Sequence, residues 1–301
     1  MARNLKYQFL NAINKSFSSG SDKHSNKKNG GLNATKIYSY ADRKNLIEMS
    51  SQFSDFMNVN YKSIKMIKEI TSDHAQEFLN YKSKTCNENT LNQYSSRISK
   101  LNNITGSIYN ISNSYDDIVA PSGINNTKIR NISMCESDLE KLKSTYFDDF
   151  STGLLAINLS SRLGLRVEEC SKLKTTDIDL KSSVVRVIDS KGKRSRDVPI
   201  KEKDLDYFNN LKYNCPRVRI CDANKESINK NIRRHLKQCD LDDKYNKTTI
   251  HSIRKYYAQE SFNEKREEGL SIKEAMGQVS ELLGHSGNRI ELMKEYILDI
   301  Q

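Results

Sequence analysis

The sequence predicts a mainly α-helical protein with two folded domains, the second an α+β domain with one small β-hairpin. Three observations support this. Apolar residues recur at spacings of three and four along much of the chain, the period of a helix with one buried face. Two β-rich runs, "VVRVIDS" and "KRSRDVPI", are separated by "KG", a hairpin signal. Between the two regions, "SNSYDDIVAPSGINNTK" holds no period and carries one of the chain's three prolines, as a linker does.

Residues 1–33 are polar, with "SFSSGSDKHSNKKNGG" in the middle. Gly, Ser, Asn and Lys bury too little apolar area to fold alone, so a flexible basic arm is expected there. Residues 34–111 read as an all-helical domain. Ile37, Tyr40, Leu46, Met49, Phe53 and Phe56 recur along the first helix, and "TSDHAQEFLNYK" opens with N-cap chemistry. Leu91, Tyr94, Ile98 and Leu101 line one face of the next helix. The linker is placed at 112–130 and the second domain at 131–301. There, "FDDFSTGLLAINLSSRLG" is an apolar helix stopped by Gly164, and "LRVEECSKLK" a short second helix. The hairpin and further helices follow. "SIKEAMGQVSELLGH" has Ser271 and Glu274 as a capping box, with Ile272, Ala275, Met276, Val279 and Leu283 as its buried stripe.

Composition narrows the function. The 301 residues include 49 Lys and Arg against 38 Asp and Glu, a net charge of +11. That balance suits a polyanionic partner, because each neutralised phosphate releases counterions; a lysine-biased composition is the plain alternative. No stretch approaches the ~20 apolar residues of a membrane span. The start of the sequence lacks the apolar core of a secretory signal, so a cytoplasmic protein is expected. Cysteines 86, 135, 170, 215, 221 and 239 form no CxxC pair, so free thiols are expected. Cys215, Cys221, His235 and Cys239 could supply four zinc ligands, but the five-residue gap between the first two is wider than a zinc knuckle uses. No metal and no cofactor are expected.

Five segments of the second domain carry reactive side chains: Arg166 with Glu169, Lys191 at the hairpin turn, His251 with Arg254, His285, and Tyr296. Arginine forks match phosphate oxygens. Histidines donate hydrogen bonds or move protons near neutral pH. A tyrosine becomes a nucleophile where a cationic site favours its phenolate. Together they suit phosphoryl transfer on a diester, with protein cations in place of a metal. Taken singly, each has an ordinary explanation: Arg166 can cap a helix or pair with Glu169, Lys191 can belong to a basic turn, and His251 and Arg254 can share a helix face.

Order and spacing add what single residues do not. "LGLRVEECSKLKTTDID", "KGKRSRDVPI", "HSIR" and "LLGHS" resemble, in sequence order, the first arginine box, the Lys-Gly-x-x-x-Arg-x-Val-Pro hairpin, the His-x-x-Arg box and the Leu-Gly-His box of the tyrosine recombinase (phage integrase) family. The likeness spans about residues 145 to 298. The N-terminal "MARNLKYQ" and the long segment between the last two boxes look like a mobile-element integrase subgroup.

The resemblance implies roles. Arg166 and Arg254 would clamp the scissile phosphate, with hydrogen bonds from His251 and His285. His251 would accept the nucleophile's proton. Lys191 would protonate the leaving 5′ oxygen. Tyr296 would form a 3′-phosphotyrosyl link, and Glu169 would orient the arginine from behind. It also implies double-stranded DNA as partner, a homotetramer on paired sites, an accessory DNA-bending protein in some systems, and the 34–111 region as a core-binding domain. Alternatives within this chemistry are a chromosome or plasmid dimer resolvase and a type IB topoisomerase; a catalytically inactive DNA-binding relative is the alternative outside it.

One feature departs from the pattern. The family tyrosine usually stands nine residues after the box histidine, which here is Lys294; Tyr296 stands at eleven. Two extra residues in the "SGNR" turn would correct the reach, on a helix striped by Ile290, Met293, Ile297 and Ile300. Tyr256 and Tyr257 are the rival nucleophiles. The five residues after Tyr296 put the family's tail docking onto a neighbouring subunit in question.

Overall fold

A computed structural model of the chain describes residues 4–18, 35–112, 114–124, 132–188 and 195–300. They form two compact units, Met1–Thr127 and Lys128–Gln301.

The first unit is built on α1 (Leu5–Ser16), α2 (Tyr40–Asn60), α3 (Ser72–Ser83) and α4 (Glu88–Tyr109). The Asn4, Ser39 and Asn87 side chains each accept a hydrogen bond from a first-turn amide, satisfying donors that α1, α2 and α4 cannot pair internally. The core gathers around Phe53, whose ring centroid lies 6.0 Å from Phe9 and 5.0 Å from Phe78. Leu91, Tyr94, Ile98 and Leu101 are buried along α4, as their spacing predicts.

Two boundaries differ from the sequence reading. The expected arm at 1–33 begins with α1, which packs on α2 and α4 and buries Leu5, Phe9, Ala12 and Ile13. Those four residues form a helical stripe that the polar average of the segment conceals. Residues 1–3 and 19–33 of the expected arm lie outside the described residues. The expected linker also belongs largely to this unit. Tyr115 is buried with its hydroxyl 3.0 Å from Thr105 Oγ1, and Gln76 exchanges two hydrogen bonds with the backbone of Val119.

In the second unit come α5 (Glu136–Lys143), α6 (Thr152–Leu163) and the single turn α7 (Val167–Cys170). Strands β1 (Ile178–Asp179), β2 (Val184–Val187) and β3 (Arg196–Pro199) form an antiparallel sheet in that order. Val185 stands opposite Ile178 and Val198, all three buried. The hairpin expected from "VVRVIDS" and "KRSRDVPI" is β2–β3; β1 extends it. Then follow α8 (Leu205–Asn214), α9 (Lys225–Gln238), α10 (Asp242–Tyr245), α11 (Ile250–Glu267), α12 (Ile272–Leu282) and α13 (Ile290–Met293). Helix α6 is buried nearly all round and packs on α9 and α11, as a helix apolar on every face must.

A second apolar cluster joins α11, α12 and the C-terminal segment through Tyr257, Phe262, Met276, Val279, Leu283, Met293 and Ile297. Helix α12 carries the expected capping box, although Ile272 is exposed rather than buried. The helix expected to run past Tyr296 ends at Met293, whose carbonyl accepts from both Tyr296 N and Ile297 N at 2.8 Å. Ile300, expected in its stripe, is exposed. No helix of the described residues is long and apolar enough to cross a membrane.

The packing of α1 predicts that Phe9→Ala destabilises the first unit by about 3–5 kcal/mol, the usual cost of emptying a buried Phe site. Urea unfolding followed with hydrogen exchange in α2 and α4 measures it. An unchanged midpoint and unchanged protection would return residues 5–16 to the status of an unpacked arm.

Candidate active site

The site is organised by two glycines and one carboxylate. Helix α6 stops at Gly164, at φ +62°. A Cβ there would lie 2.5 Å from the Tyr257 ring and 2.9 Å from Leu283. Only a residue without a side chain fits both the left-handed turn and this approach. The turn delivers Arg166 to the N-cap of α7. Its backbone amide donates to Glu169 Oε2 at 2.9 Å, and its Nη1 donates to Oε1 at 2.8 Å.

Glu169 is buried, and a buried carboxylate needs cationic or hydrogen-bonding partners. Arg196, on β3, donates to both of its oxygens, through Nη1 at 3.1 Å and Nη2 at 3.0 Å. Arg254 Nη1 lies 3.9 Å from Oε2. Within this group three guanidiniums face one carboxylate, which favours an added anion.

Arg254 is itself buried. It donates from Nη1 to the Gly164 carbonyl and from Nη2 to the Leu283 carbonyl at 2.6 Å. Burial, and then the charge of Arg166, lower its pKa to about 10, so it remains a cation at neutral pH. Its Nε–H has no hydrogen-bond partner among the described residues.

The turn after α12 brings the remaining groups. Gly284 adopts φ +74°, and His285 follows it. His285 Nε2 lies 2.9 Å from Arg166 Nη2. A guanidinium only donates, so Nε2 is the acceptor in this contact. The ring of Tyr296 is nearly buried, with its centroid 5.5 Å from that of His251 and 6.0 Å from that of His285. The guanidinium carbon of Arg254 lies 5.6 Å from the same centroid.

Arg166, Glu169, His251, Arg254, His285 and Tyr296 are therefore neighbours. Lys191 lies outside the described residues. Arg196 was missed as a site residue, although it stands in the quoted hairpin pattern; as the first residue of a strand it reads as an ordinary ladder position. The rival tyrosines are otherwise engaged. Tyr257 is buried against Gly164. Burial and then the carboxylates of Glu260 and Glu136 push Tyr256 up to about 12, which disfavours its phenolate.

Two of the four zinc candidates are likewise committed elsewhere. The His235 ring stacks on Tyr146 at 3.7 Å with Nδ1 2.9 Å from Thr145 Oγ1, and Cys239 Sγ donates to the His235 carbonyl. Among the described residues no three His, Cys, Asp or Glu side chains gather to hold a metal.

A helical fold with a small antiparallel sheet, in which arginines, histidines and one tyrosine surround a buried carboxylate, is that of a tyrosine site-specific recombinase. Residues 137–296 match the model of the phage integrase family, and the chain belongs to that family. Similar solved structures include XerH bound to palindromic difH substrate in a post-cleavage complex (16% identity, 99% of this chain and 93% of that one, TM-score 0.64). Others are the Tn1549 transposon integrase with transposon right-end DNA (15%, 97% and 94%, 0.62) and a lambda integrase dimer bound to a COC′ core site (15%, 86% and 88%, 0.60). At these identities the likeness is one of fold. No curated protein sequence matches the chain.

Gly284 yields a test of this geometry. A Cβ there would sit 2.8 Å from Arg196 Nη1, and a non-glycine residue at positive φ is strained besides. Gly284→Ala should cost about 1–3 kcal/mol, read from the denaturant midpoint. A variant as stable as the parent would show that the turn and Arg196 adjust freely.

Proposed function

We propose that this recombinase cuts and rejoins double-stranded DNA at specific sites as the integrase of a mobile element. The observation that carries the reading is the gathering of Arg166, Arg254, His251, His285 and Tyr296 around one buried carboxylate. Tyr296 attacks the scissile phosphorus. A Tyr–O–P bond to the 3′ side forms, and the bond from phosphorus to the 5′ oxygen breaks. His251 takes the phenol proton, and Lys191 gives one to the departing oxygen. Arg166 and Arg254 neutralise the non-bridging oxygens, where charge builds in the transition state. The Nε edge of Arg254, without a hydrogen-bond partner among the described residues, is a donor for one of them. Glu169 orients Arg166. Attack by a 5′ hydroxyl on the phosphotyrosine then reverses the chemistry on a new strand. The phosphotyrosine conserves the diester's energy, so ATP has no role.

The working assembly is four copies on two DNA sites, because two duplexes with two exchanged strands each require four nucleophiles. An accessory DNA-bending protein completes the assembly where the sites lie far apart. The first unit acts as the core-binding domain on the same duplex.

Tyr296→Phe should abolish covalent adducts on a nicked suicide substrate while gel-shift affinity stays near that of the parent. Adducts formed at the parent rate would move the nucleophile to another tyrosine.

Lys191 is tested through the leaving group. A general acid matters for a 5′ alkoxide and little for a 5′ thiolate. Lys191→Ala should slow cleavage of ordinary DNA by about a hundredfold or more, and a 5′-bridging phosphorothioate should restore most of it. Arg166→Ala should show no such rescue. A thio substrate that rescued Lys193→Ala instead would shift the hairpin assignment.

A further inference from the structure

We infer that Arg196 is the positioning residue of the phosphate clamp, fixing Arg166 through Glu169 and His285 through the turn at Gly284. This rests on the reading of the site given above. Four contacts carry it. Arg196 holds both oxygens of Glu169. The same carboxylate accepts from the backbone amide and Nη1 of Arg166. Arg196 Nε donates to the Leu282 carbonyl at 3.1 Å. Its guanidinium lies against Gly284, so closely that a Cβ would collide with it.

The consequence is geometric. Glu169 could rotate to serve Arg166 in several ways, but a bidentate partner behind it fixes the plane of the carboxylate. The plane then fixes where Arg166 points. At the same time the Leu282 and Gly284 contacts set the turn whose next residue, His285, meets Arg166 Nη2 at 2.9 Å. One side chain on β3 thus aligns two groups from distant parts of the sequence. Arg196 itself is largely enclosed, and its bonds to Glu169 and the Leu282 carbonyl point into the protein. It acts through Arg166 and His285 rather than on the phosphate. Lysine cannot replace it, because a single ammonium cannot span two carboxylate oxygens and a carbonyl at fixed angles.

The test uses two altered scissile phosphates and the full chain. A methylphosphonate removes one non-bridging charge, so a weakened clamp matters less on it. A 5′-bridging phosphorothioate removes the need for a leaving-group proton and leaves the clamp's task unchanged. Arg196→Ala should slow Tyr296 adduct formation on ordinary DNA by about a hundredfold, the usual cost of a small misplacement. That deficit should shrink by about tenfold or more on the methylphosphonate and stay nearly constant on the thio substrate. Arg196→Lys should show the same pattern, with a deficit of roughly tenfold, and serves if the alanine variant fails to fold.

Parent-like rates for Arg196→Lys on ordinary DNA would overturn the role of the fork. So would a deficit relieved by the thio substrate and not by the phosphonate, because Arg196 would then act on the leaving-group step. A parent protein that forms no adduct at all would sink the reading of the whole site; a parent that forms it, with either variant pattern above, sinks the assignment of Arg196 alone.

Discussion

The buried carboxylate of Glu169 is the contact on which the rest of the site depends. Three guanidiniums approach it, from α7, β3 and α11, and without it they would face one another. Like charges at such separations repel strongly in a poorly solvated setting. One negative charge offsets part of that repulsion and leaves a net positive field. The arrangement thus stabilises the fold locally and keeps the site short of negative charge. A diester phosphate supplies what is missing.

The backbone accommodates this through its glycines. Gly164 turns the chain so that Arg166 follows directly on α6, and its carbonyl accepts from Arg254. Gly284 brings His285 in beside Arg196 without a side chain in the way. Gly164 and Gly284 are therefore there for close approach as much as for the turn. The apolar cluster beside them includes Tyr257 and Leu283, the two side chains that close on Gly164.

Much of this was legible in the sequence. Helical periods located α2 to α4 and α6, the "KG" pair located the hairpin, and the order of the boxes named six residues that prove to be neighbours. What escaped did so for physical reasons. The α1 stripe of Leu5, Phe9, Ala12 and Ile13 is short, and a composition average dilutes it. Tyr115 looks like a loop residue because its burial depends on Phe53, far away in sequence, and on Thr105 of the preceding helix. Arg196 looked like a strand position because its partners, Glu169 and the Leu282 carbonyl, come from other elements. Tyr296 stands two residues beyond the usual family spacing, past the end of α13. Helix α13 lasts a single turn, and Met293 and Ile297, buried on either side, seat the ring beside His251.

Every described residue of the site comes from the second unit, residues 128–301. A reaction centre whose described residues all lie within one stretch of chain is separable, in inheritance, from whatever precedes it. The first unit can exchange its surface, its length or its origin while the chemistry is passed on intact. On the proposed reading, address and tool can thus change at different speeds, which would suit an integrase that meets new DNA neighbourhoods.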